Sequence, residues 1–98
     1  MYIPEGYGTV FPYIFASEAA AYLSFLERAF GAEVLGRTDA PDGTVANARV
    51  RIGTTAFMVS EASGGYPPSR AAFYIYVEDA DQTHREALAC GADDIHAP

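Results

Sequence analysis

The chain has 98 residues, half of them apolar and 19% charged, which suits one small globular domain with a thin core and excludes a disordered tail. Thirteen Asp and Glu stand against six Arg and no Lys, a net charge of −7. That sign argues against nucleic acid, whose phosphates call for clustered positive charge, and against anionic membranes.

Residues 9–16 are rich in β-branched and aromatic side chains and predict a strand, with Val10, Pro12 and Ile14 on one face and Phe11, Tyr13 and Phe15 on the other. Pro12 cannot donate a ladder hydrogen bond, so an open side or a bulge is expected there. Ser17 is the expected N-cap of a helix that carries Leu23, Leu26 and Phe30 on one face and stops at Gly31. A short strand follows at 33–38, then the turn Pro41-Asp42-Gly43, then an alternating strand at 45–52. Gly53-Thr54 turns the chain into a further strand at 55–60. The breaker-rich Gly64-Gly65-Tyr66-Pro67-Pro68 reads as a connector, 71–77 as a strand and 79–90 as a second helix closed by Gly91. Two echoes link the halves: Gly31-Ala32-Glu33 with Gly91-Ala92-Asp93, and Tyr13-Ile14-Phe15 with Tyr74-Ile75-Tyr76. The expected fold class is α+β: one domain over 1–98, with a βαβββ module over about 8–61, a connector over about 62–70, and an incomplete βα module over about 71–98.

Several features exclude chemistry. The lone Cys90 cannot form an intrachain disulfide, and neither CxxC nor HExxH occurs. The first residues lack the charged start and apolar segment of a signal peptide, and no apolar run approaches membrane-spanning length. A cytoplasmic location is expected. Glu61 reads as a solvated acid at a strand end, His84 as a helix-surface residue, His96 as a tail residue and Cys90 as a small packed hydrophobe. Gly64-Gly65 lacks the pattern of a phosphate loop.

Ile3-Pro4-Glu5-Gly6-Tyr7, Pro12-Tyr13, Glu27-Arg28-Ala29-Phe30-Gly31-Ala32-Glu33, Pro41-Asp42-Gly43 and Arg51-Ile52-Gly53 together resemble the vicinal oxygen chelate superfamily (the glyoxalase/bleomycin-resistance/dioxygenase group), and within it the PhnB-like branch. The resemblance implies two paired βαβββ modules whose sheets form a cup for a small molecule. Three strands of the second module are lacking here, which leaves a sheet edge open and predicts a partner chain, a homodimer with shared strands. The superfamily's metal-dependent members place ligands on the first, fourth and fifth strands. The matching positions here are Phe11, Met58 and Ala72, and none offers oxygen or nitrogen to a divalent ion.

Alternation along the strands is independent of that resemblance. Aliphatic faces (Val10 and Ile14, Val50 and Ile52, Phe57 and Val59, Phe73 and Ile75) should meet the helices, since each buried side chain contributes roughly 1.5–3 kcal/mol. The opposite faces then line the cup: Phe11, Tyr13, Phe15, Asn47, Arg49, Arg51, Met58, Ser60, Ala72, Tyr74 and Tyr76. The ligand-binding residues expected from this are Phe11, Tyr13, Asn47, Arg49, Met58, Tyr74 and Tyr76, with Arg49 or Arg51 holding a carboxylate or phosphonate through forked donors. The expected function is binding of a small organic molecule with no cofactor, no bound metal and no catalytic residue. The alternative is a metal-dependent lyase, isomerase or dioxygenase whose ligands a partner chain completes.

Overall fold

The computed structural model describes residues 2–3 and 6–94. Six elements follow one another: β1 (Tyr13–Ala16), α1 (Ala19–Phe30), β2 (Glu33–Asp39), β3 (Val45–Ile52), β4 (Thr55–Glu61) and α2 (Ala80–Ala89). Pro4 and Glu5 of the N-terminal motif, and His96, lie outside the described residues. The strands form one sheet in the order β1-β4-β3-β2, with β1 parallel to β4 and the other pairs antiparallel. The class is α+β, with the βαβββ order expected of the first module.

Local chemistry explains the turns and the helix ends. Ile52 and Thr55 pair across Gly53-Thr54. Between β2 and β3, Ala40 N–H donates to Thr44 O at 2.8 Å and Gly43 N–H to Ala40 O at 2.9 Å. The Asp42 carboxylate accepts from the Thr44 hydroxyl at 2.7 Å, and those Thr44 hydrogen bonds hold its pKa below the ordinary value. Gly31 closes α1 at φ 66°, a left-handed conformation that favours glycine, and Ala32 N–H reaches back to Leu26 O. Asp79 caps α2 by accepting the Gln82 N–H at 3.0 Å.

One sheet face carries the core. Ile14, Val50, Phe57 and Val59 meet Leu23 and Leu26 of α1, and all six are buried. α2 adds no buried residue; it packs on α1 and not on the sheet.

Four expectations are corrected. The first strand begins at Tyr13 and not at residue 9, because Pro12 offers no N–H and the chain before it leaves the ladder. Among the described residues, Gly6 O, accepting from Ala56 N–H, and Pro12 O, accepting from Met58 N–H, still tie that segment to β4, and Val10 is 88% exposed. Ser17 does not cap α1. The capping position is Glu18, in the left-handed conformation at φ 55°, and the Glu61 carboxylate accepts the N–H groups of Glu18 and Ala19 at 2.8 and 2.9 Å. Parallel pairing of Ala16 with Glu61 brings that carboxylate to the helix start, so Glu61 is more than a solvated strand-end acid.

The fourth correction concerns residues 71–77, which form no strand. A strand needs a neighbour to take its N–H and C=O groups, and among the described residues none pairs with this segment. Ser69 still docks on the β1 edge, where its N–H donates to Phe15 O and its Oγ accepts from Phe15 N–H. Beyond it the chain crosses to the helix-covered side, where Phe73 lies 5.8 Å from Phe57 between ring centroids.

Candidate functional site

On the sheet face away from α1, one cross-strand row holds Tyr13 of β1, Met58 of β4, Arg49 of β3 and Gly36 of β2. A neighbouring row holds Phe15 and Ser60. Period-two alternation puts these side chains opposite Ile14, Val59 and Val50, as expected from the sequence.

The polar groups here form a directed chain. The Ser60 hydroxyl is buried and donates its one proton to Ala46 O at 2.8 Å. The Tyr13 hydroxyl, 2.6 Å from Ser60 Oγ, must therefore be the donor of that bond. Its own oxygen is left to accept Asn47 Nδ2 at 3.2 Å. Asn47 Nδ2 also lies 3.7 Å from Met58 Sδ. Such a chain polarises along its length and fixes the tilt of the Tyr13 ring over β4.

The two arginines of β3 differ. Arg51 is taken by an ion pair with Glu33, its neighbour across β2. Arg49 has no acidic partner among the described residues. Its guanidinium turns its Nε–Nη2 edge toward Gly36, where an added Cβ would collide with Nη2 and come within 3.1 Å of both Cζ and Nε.

Aromatic rings border the face. Tyr13 stacks on Phe15 at 5.0 Å, and Phe15 on Tyr66 at 5.0 Å. Tyr66 is held by two backbone hydrogen bonds with Ser63. Sequence reasoning missed Tyr66, although a lone tyrosine among glycines and prolines was a visible sign of an aromatic placed by a turn. It also left Ser60 off the binding set while placing it on the correct face. Phe11 packs edge-on against Tyr7 at 4.8 Å, in the segment that loops off β4.

Tyr74 and Tyr76 are not brought to this face. They are 87% and 91% exposed and border a cavity of about 1030 Å³ on the other side of the sheet. That cavity lies between the 71–77 segment and the Tyr22, Phe25 and Phe30 side of α1. Burial there raises the Tyr22 pKa.

The metal-ligand positions of the resembled superfamily do not fit an ion here. Met58 offers a thioether to the face, Phe11 offers a ring, and Ala72 is exposed and off the sheet. Among the described residues no group of three or more His, Cys, Asp or Glu is gathered. No described helix is long and apolar enough to cross a membrane.

Comparison with known proteins rests on shape. No family model matches the chain, and no curated protein matches it in sequence. Among solved structures it is similar to the gene product At5g48480 of Arabidopsis thaliana, with a TM-score of 0.71 and 20% identity over 88% of this chain and 73% of that one. It is also similar to TioX from Micromonospora sp. ML1, with a TM-score of 0.64 and 24% identity over 90% of this chain and 74% of that one. The protein shares the fold of these structures, a glyoxalase-like α+β arrangement.

Proposed function

We propose that the protein binds a small organic molecule on the face carrying Tyr13, Asn47, Arg49 and Met58, without a metal and as a homodimer. The observation that carries this reading is the co-location of a directed hydrogen-bond chain, a stack of three aromatic rings and a cation without an acidic partner on a sheet face that α1 does not cover. Ligand sites combine apolar area with a few fixed polar groups, and this face has both. Within the glyoxalase-like fold, the resemblance of the segment from Glu27 to Glu33 supports a place in the PhnB-like branch. Phe11 is a candidate rim residue, and Tyr74 and Tyr76 join the site only if association carries them to it. The single unpaired Cys90 suits a reducing cytoplasm.

A metal-dependent lyase, isomerase or dioxygenase would need donors that this face lacks. The test is metal analysis of the purified protein together with a thermal-shift screen of small organic molecules. The binding reading expects substoichiometric metal, no change in stability with chelator, and stabilisation by at least one organic compound. Stoichiometric nickel, zinc, iron or manganese removed by chelator with loss of stability would overturn it.

A further inference from the structure

We propose that the Arg49 end of this face is an anion subsite, that the ligand is accordingly a flat organic carboxylate, and that Gly36 is the residue that keeps the subsite open. This inference rests on the binding reading above and narrows it to a chemical class.

In a chain of net charge −7, two of the cations on β2 and β3 are matched to neighbouring acids: Arg37 with Asp39, and Arg51 with Glu33. Arg49, two residue pairs along the ladder from Arg51, has no such partner among the described residues. A guanidinium offers five N–H donors in a planar fork matched to a carboxylate, so an exposed one without an acidic partner is free to meet an anion.

Gly36 supplies the room for it. Its φ lies outside the left-handed region, so glycine is not required there by backbone conformation. What the position requires is space, because the Arg49 guanidinium occupies the volume of a side chain at residue 36. The irregularity between Val34 and Gly36 sets the register that places Gly36 opposite Arg49. From Gly36, the row passes over Met58 to the Tyr13 ring, two strand spacings (roughly 10 Å) from Arg49. A planar molecule can therefore rest on Met58 and Tyr13 while its carboxylate reaches Arg49.

The experiment compares benzoate with benzyl alcohol, matched in ring and differing in charge, by following amide chemical shifts of the full chain. Benzoate is expected to move the resonances of Gly36, Asn47 and Arg49 and to bind at least tenfold more tightly, with a preference that declines as salt is raised. R49Q should erase that preference, R49K should keep part of it, and G36V should weaken benzoate severalfold with the wild-type dispersion of the spectrum retained. Equal affinity for the two probes, or a benzoate preference that survives in R49Q, would overturn the anion subsite and leave the binding reading standing. Shifts from neither probe would overturn the binding reading, and the subsite with it.

Discussion

The Glu61 carboxylate accepts two N–H groups that the first turn of α1 leaves without helical partners, while Glu18 sits at a left-handed φ of 55° to let the chain enter the helix. A carboxylate at a helix start gains from both charge-assisted hydrogen bonds and the helix dipole. E61A is therefore expected to lower the unfolding free energy by about 1–2 kcal/mol, and E61Q by less because its amide oxygen still accepts. Urea denaturation with an unchanged slope checks both. The half-buried Tyr22 phenol is held above its ordinary value of 10.0 by desolvation. Below pH 10 folded and unfolded chains both keep that proton, so stability is insensitive to it. Above pH 10 the unfolded chain ionises first, and stability falls as pH rises toward the folded value. Y22F should show a shallower alkaline decline in melting temperature than the wild type; an identical decline would remove Tyr22 as its source.

At the scale of elements, the two echoed motifs show which parts of the fold were legible. Gly31 and Gly91 both follow a helix and both take positive φ, at 66° and 109°. A helix end depends on residues within one turn, so each pattern puts a positive-φ glycine at the end, although α1 closes on Gly31 itself and α2 on Cys90, one residue before Gly91. Tyr13-Ile14-Phe15 and Tyr74-Ile75-Tyr76 share a pattern as well, yet only the first lies in a strand. β1 has β4 to pair with, and the second triplet has no ladder neighbour among the described residues. Strand formation is settled by a partner distant in sequence, which alternation within one segment cannot reveal. The site divides along the same line. Tyr13, Asn47, Arg49 and Met58 share a face because period two fixes faces once the strands exist. Tyr74 and Tyr76 do not join them, because their assignment presumed a ladder. The Glu61 cap and the Gly36–Arg49 contact were not readable either, since both depend on register between strands.

At the scale of the whole molecule, exposed area bears on the proposed homodimer. A folded chain of 10.5 kDa is expected to expose about 5,400 Å². This protein exposes 7008 Å², an excess of about 1,600 Å² over the scaling estimate. A stable interface buries about 800 Å² on each partner, so the surplus is more than one such patch requires. Part of it is the 71–77 segment, where Phe73 and Val77 remain 45% and 41% exposed beside the large cavity. A second copy of the chain that pairs with this segment would satisfy its unpaired backbone and cover those side chains at the same time. Native mass between about 1 and 100 μM should then move toward twice the chain mass, and the melting temperature should rise with concentration, as it does for any partner that binds only the folded state. F73D places a charge where the apolar contact would form and is expected to hold the protein as a monomer at concentrations where the wild type is dimeric. A wild-type protein that stays monomeric throughout this range, with a melting temperature independent of concentration, would show that the excess surface is not an interface between copies.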